Sequence, residues 1–172
     1  MTALRTAQIS RETPLSLVMA RNVISLQIND RASLVDTLMK AHPIHHVPVL
    51  EGQVLKGLIS QGDLFRNMLS PHFYESDKEQ HAFLDNFLGI PELMTADPLT
   101  LGPENTLGEA LDMMLEFRVG CLPIVNETNV LLGIVTTADL LRLFRQILPK
   151  KSQAMPHPGL KREEESRVPA GH

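Results

Sequence analysis

The 172-residue chain is 43% hydrophobic and carries 16 Lys and Arg against 20 Asp and Glu, a net charge of −4. That length allows one ordinary domain or two very small ones, and the missing basic surplus argues against nucleic-acid binding. With no Trp, one Tyr and a single cysteine, Cys121, the core must be aliphatic and no internal disulfide can form, a usage that fits a reducing, cytoplasmic setting.

Residues 1–16 lack the apolar run of a secretory signal, and no later stretch approaches the roughly 18 apolar residues that cross a bilayer, so a soluble protein without membrane contact is expected. Residues 23–28 read as a short extended piece. A helix follows over about 32–41, with Asp30 near its start and Val35, Leu38 and Met39 on one face. Strands at 46–50 and 54–60 flank the turn Glu51-Gly52-Gln53. A second helix opens at Asp63, where an acidic side chain suits the helix dipole.

Residues 71–91 form a linker, charged at Glu75, Asp77, Lys78 and Glu79 and then apolar at Phe83, Leu84, Phe87 and Leu88. Its later part reads as a helix laid on the core, with the phenylalanines as an alternative dimer contact. The earlier order then recurs: an extended piece at 98–101, then a helix with Thr106 as N-cap and Glu109 at capping-box spacing. Strands follow at 121–125 and 130–136, and a last helix opens at Asp139. Residues 149–172 are rich in Pro and charge and poor in large apolar side chains, so a disordered tail is expected.

The recurrence holds in register. A shift of 75 lays Met19 on Met94, Ile24 on Leu99, Leu26 on Leu101, Val35 on Ala110, Met39 on Met114 and Pro48 on Pro123. After one inserted residue, a shift of 76 lays Gly57 on Gly133, Ser60 on Thr136, Asp63 on Asp139 and Arg66 on Arg142. Two β-α-β-β-α units therefore span 17–70 and 92–148, an α+β fold. Each unit is marginal alone, and the pair can bury its faces about a pseudo-twofold axis.

The strongest chemical signal is the strand-to-helix junction, present as Gly57 to Asp63 and again as Gly133 to Asp139. A hydroxyl ends each strand and an aspartate follows three positions later, which makes a polar notch at a helix N-terminus. Backbone N–H groups and the helix dipole attract phosphate there, and the carboxylate can accept from both hydroxyls of a ribose. The same residues also suit a structural part, with Ser60 and Thr136 as N-caps and the aspartates closing capping boxes. Duplication at matched positions favours the binding site.

Met94-Thr95, Pro98-Leu99-Thr100, the Met-rich helix and the run Arg118 to Val125, followed by Gly133 to Thr136 and Asp139, resemble cystathionine-β-synthase-type (CBS) domains. The first half has the similar runs Leu38 to Val49 and Gly57 to Asp63, so the resemblance covers about 17–148. It implies a tandem CBS pair that catalyses nothing, needs no obligatory cofactor and forms a homodimer. As regulatory ligand it would take AMP, ADP, ATP or S-adenosylmethionine in the cleft between units and transmit occupancy to a regulated partner protein. Asp63 and Asp139 would then hold ribose, with Ser60 and Thr136 near ribose or phosphate. Thr95, Thr100, Val119 and Gly120 would line the adenine pocket of the second unit, with Ala20, Ser25, Ile44 and His45 as their first-unit counterparts.

Two departures from the family pattern matter. Many nucleotide-binding members carry a basic residue just before the aspartate, where this chain has Gly62 and Ala138; Ala20 also stands where the second unit has Thr95. Phosphate neutralisation is thereby left to Arg118, His45, His46 or Arg21, and the second unit is expected to keep the better-preserved site. The missing basic residues also motivate an alternative, a dimeric interaction scaffold with vestigial pockets. His42, His45 and His46 suggest no metal site, because His45 and His46 are adjacent on a strand and face opposite ways, without a ligand partner at metal spacing. Cys121 reads as a small buried core residue. No nucleophile-and-base arrangement or phosphate-loop motif is present in the sequence, so no catalysis is expected.

Overall fold

The computed structural model describes residues 9–68 and 76–148, so the expected disordered tail and the start of the linker lie outside the described residues. The first unit runs β1 (Leu26–Gln27), α1 (Ser33–Ala41), β2 (His46–Glu51), β3 (Val54–Ser60) and α2 (Gln61–Met68). Helices α3 (Asp77–Phe87) and α4 (Ile90–Leu93) lead from it to the second unit. The second unit follows with β4 (Thr95–Ala96), α5 (Leu107–Phe117), β5 (Cys121–Val125), β6 (Leu131–Thr136) and α6 (Thr137–Ile147). In each unit an antiparallel hairpin forms the floor, β2–β3 or β5–β6. Gly52, at φ +63°, supplies the left-handed residue that the first hairpin turn needs.

The lead-in of each unit packs on the other unit. β4, which opens the second unit, adds antiparallel to β3 of the first, pairing Thr95 with Leu58 and Ala96 with Gly57. Reciprocally, Ala20 of the first unit bridges Ile134 of the second, through Ala20 N–H to Ile134 O at 2.9 Å and Ile134 N–H to Ala20 O at 3.0 Å. This crossing explains the repeated glycines. A Cβ on Gly57 would lie 2.8 Å from Met94 Cγ and 3.0 Å from Thr95 O, and one on Gly133 would lie 2.7 Å from Met19 Sδ and 2.9 Å from Ala20 O. The repeated Met and the repeated Gly therefore meet across the units.

The pseudo-twofold axis passes through the Val54–Val130 bridge, where Leu55 N–H donates to Asn129 O at 2.9 Å and Leu131 N–H donates to Gln53 O at 3.1 Å. Two cores follow from the exchange. The first joins Val35, Val47, Val49 and Ile59 to Leu84 of α3 and to Ile90 and Leu93 of α4. The second joins Ala110, Leu122, Ile124 and Val135 to Leu15 and Met19 from the chain's start. Burial of these aliphatic side chains, each contributing roughly 1.5–3 kcal/mol, locks the units together as well as folding each one.

Helix α3 is fixed on α1 by Leu84, which is fully buried, and by polar contacts along its length. Asp85 accepts from Ser33 N–H and Ser33 Oγ, both at 2.9 Å, and so caps α1. Asp30, the residue expected near that helix start, instead accepts from Gln27 N–H at 2.8 Å. Buried Asp36 meets His81 at 2.8 Å and Lys40 at 2.9 Å, and Lys40 also reaches Asp77 at 2.9 Å. Hydrogen bonds to Asp77 and Asp36 raise the Lys40 ammonium above its usual range. Phe83 and Phe87 stack with centroids 5.2 Å apart, and Phe87 stays exposed.

Candidate functional site: two pockets between the units

Helices α2 and α6 each begin two residues before the aspartates expected to open them. Ser60 and Thr136 end the strands, and Asp63 and Asp139 are the third residues of the helices, which closes a reciprocal capping box at each junction. Thr136 N–H and Oγ1–H donate to Asp139 Oδ2 at 3.0 and 2.6 Å, and Asp139 N–H donates to Thr136 Oγ1 at 3.3 Å. At the first junction Ser60 N–H and Oγ–H donate to Asp63 Oδ2 at 2.7 and 2.6 Å. The second carboxylate oxygen, Oδ1, is taken by an arginine one turn on: Arg142 at 2.7 Å from Asp139, and Arg66 against Asp63. Each aspartate is thus rigidly oriented at a helix N-terminus, with a guanidinium beside it.

These two groups face two pockets, and each pocket is built from both units. One, of about 240 Å³, sets Thr136, Asp139 and Arg142 of the second unit against Ala20, Ile44 and His45 of the first. The other, of about 460 Å³, sets Ser60, Asp63 and Arg66 of the first unit against Thr95, Arg118 and Val119 of the second. His46 and Gly120 line both. Pockets for small ligands run roughly 300–1,000 Å³, so the Asp63 pocket has the room and the Asp139 pocket is tight. Burial holds the His46 imidazole below its ordinary range, with His45 adding to the shift and Asp63 opposing it. Burial, helped by the Asp139 charge, pushes the Cys121 thiol up to about 12, so at neutral pH it stays protonated and unreactive.

The duplicated strand–cap–helix junction and the exchanged lead-in strands lie where the CBS domain family model matches, over residues 15–70 and again over 90–146. The chain belongs to the CBS domain family. Inosine-5'-monophosphate dehydrogenase of Korarchaeum cryptofilum is 30% identical over 151 residues, which are 88% of this chain and 26% of that protein. This chain therefore spans about a quarter of that relative's length. The Vibrio cholerae protein AcuB superposes with a TM-score of 0.64 at 26% identity, covering 78% of this chain and 91% of that one. CBSX2 of Arabidopsis thaliana, solved in complex with AMP, superposes with a TM-score of 0.65 at 21% identity, covering 78% and 98%.

The CBS pair groups its expected site residues differently from the sequence reading. Thr95 and Val119, expected in the second unit's site, face Asp63 of the first, while Gly120 faces both aspartates; Ala20, Ile44 and His45 face Asp139 of the second. The cause is the lead-in exchange, which carries each unit's opening strand onto its neighbour. Thr100 lines neither pocket and lies in a separate groove with Val125 and Asn126, and Ser25 lines neither. Arg21 turns away, donating to Ser16 O at 2.8 Å. Arg118 and His46 do line the sites. The sequence reading missed Arg66 and Arg142, since it sought a basic residue before each aspartate; their shared register, three residues after it, was the available signal. Among the described residues no group of three His, Cys, Asp or Glu side chains could hold a metal ion, and no helix is long and apolar enough to cross a membrane.

Proposed function

We propose that this CBS pair is a cytoplasmic regulatory module that binds an adenosine-bearing ligand (AMP, ADP, ATP or S-adenosylmethionine) and passes its occupancy to a partner protein. The observation that carries the reading is the duplicated arrangement in which one unit's capped aspartate and arginine face the other unit's lead-in strand across a pocket. The capping box fixes each carboxylate where ribose hydroxyls can donate to it. The helix N-terminus and the guanidinium add positive potential for phosphate. AMP is the ligand in the CBSX2 structure, which shares this fold.

The Asp63 pocket is the primary site on this reading. It is the larger, and it carries two guanidinium groups, Arg66 and Arg118, against one in the other pocket. Because both units build each pocket, a ligand that prefers one inter-unit geometry shifts the pair toward it, by no more than its differential affinity. No step of catalysis is assigned to the chain. A second copy docks on the α5–α6 face, where Leu115, Leu141 and Phe144 are exposed beside a groove of about 510 Å³.

Thermal unfolding with AMP, ADP, ATP and S-adenosylmethionine tests the proposal. A ligand at 100 times its Kd stabilises the fold by about 2.7 kcal/mol, which raises the midpoint by roughly 5 °C or more for a chain of this size. Asp63→Ala with Asp139→Ala removes that shift, and a retained shift overturns the site assignment. The interaction scaffold is the second reading, favoured by the engagement of both oxygens of each aspartate within its own helix. No shift with any of the four ligands selects it.

A further inference from the structure

The two pockets share a wall. His46 and Gly120 line both, and they sit side by side: a Cβ on Gly120 would lie 3.4 Å from His46 Cε1 and 3.6 Å from Nε2. Each follows from the fold. His45 O accepts the first N–H of α2, from Gln61 at 2.9 Å, and Gly120 O accepts the first N–H of α6, from Thr137 at 3.0 Å. The starts of β2 and β5 are therefore pinned between the two helix N-termini that carry the aspartates. In the repeat register His46 corresponds to Cys121, whose thiol stays protonated. The β2 and β5 starts thus place a histidine on the shared wall and, at the matched position, a protonated thiol that lines the larger pocket alone.

We propose that His46 is a proton-bearing contact common to two anion sites, so that a phosphorylated ligand in either pocket sets the charge that the other pocket presents. The inference rests on the ligand class proposed above and adds how the two sites communicate. The charged and titratable groups facing His46 in the smaller pocket are His45, Asp139 and Arg142. In the larger pocket they are Asp63, Arg66, Asp97, Arg118 and Cys121. Burial and His45 bias the imidazole toward its neutral form, and Asp63 opposes them. A phosphate dianion in either pocket adds negative charge beside the ring and draws a proton onto it. Once charged, the ring faces the second pocket as well, where it favours another phosphate. An uncharged nucleoside has no such effect, so the device also separates phosphorylated from unphosphorylated ligands.

Linkage sets the size of the effect: uptake of one proton raises affinity at most tenfold for each pH unit of acidification. The experiment is calorimetric titration of the full chain with AMP and with adenosine, at pH 6.5 and 7.5, in two buffers of different ionisation heat. AMP is expected to take up a fraction of a proton that His46→Gln removes, while adenosine takes up none with either chain. The phosphate's own titration is common to both chains, so the difference between them reads His46. The His46 ring resonance in the parent chain, followed by pH titration with and without AMP, gives the same answer without a substitution; its midpoint must rise with AMP. Equal uptake by both chains, or an unmoved midpoint, overturns the coupling alone. Failure of both adenosine and AMP to bind overturns the ligand reading and this inference with it.

Discussion

Asp139 has two separable parts to play, and alanine at this position measures the structural one directly. Its Oδ2 accepts from Thr136 N–H at 3.0 Å and Thr136 Oγ1 at 2.6 Å, while Oδ1 pairs with Arg142 at 2.7 Å. Loss of the capping contacts costs about 1 kcal/mol, by the usual range for helix caps. The Arg142 pair is partly exposed and screened, and adds at most about 0.5 kcal/mol. A total near 1.5 kcal/mol lowers the unfolding midpoint by roughly 3–6 °C for a chain of this size. Asp139→Asn keeps an acceptor for Thr136 and loses the ion pair, so it should lose about a third as much. The assay is calorimetric or fluorescence-monitored melting of ligand-free protein, with Asp63→Ala as the matched case in the other unit. An unchanged midpoint in Asp139→Ala refutes the capping assignment. Loss of cooperative unfolding refutes the view that its structural part is local.

Four further outcomes follow from the same geometry. Gly133→Ala and Gly57→Ala place a methyl against Met19 and Met94 and against the backbone of the neighbouring lead-in, and each should destabilise by about 1–3 kcal/mol in urea unfolding; a neutral result removes the crossing as the reason for the glycines. Leu84→Ala, at a fully buried site, should lose about 2–5 kcal/mol, whereas Phe87→Ala, 73% exposed, should stay within about 0.5 kcal/mol; equal effects contradict the docking of α3. Cys121 should not react with a thiol reagent in the native protein at pH 8 and should react on unfolding, since its thiol is pushed up to about 12; rapid native labelling contradicts its burial. Because burial lowers the His46 value, the unfolded chain takes the proton first: stability is complete above the ordinary value of about 6.5 and falls as pH drops through the folded value. His46→Gln should flatten that slope between pH 7 and 5, and an unchanged slope assigns the loss elsewhere.

The repeat carried most of what was legible. Register alone set Gly57 with Gly133, Met19 with Met94 and Asp63 with Asp139, and the hairpins followed from short aliphatic runs around turn residues. What the register left open is which unit each lead-in strand joins. β4 has only two residues and Ala20 makes a single bridge, too little for any periodic signal. The choice is made by packing, when Leu15 fills the second core and Ile90 and Leu93 fill the first. That exchange sets which residues share a pocket. The cap of α1 was equally invisible, because Asp85 lies 52 residues from Ser33 and a local pattern points to Asp30 instead. Arg66 and Arg142 were visible in register, and their meaning emerged only when the helix turn placed each beside its aspartate.

Direct equilibrium binding of AMP to the parent chain and to Asp63→Ala tests whether the Asp63 pocket binds an adenosine-bearing ligand. The parent chain should bind AMP saturably, with Asp63→Ala losing its tighter site and keeping its cooperative melt. Equal AMP affinity in the two proteins, or saturable binding that only Asp139→Ala removes, contradicts it.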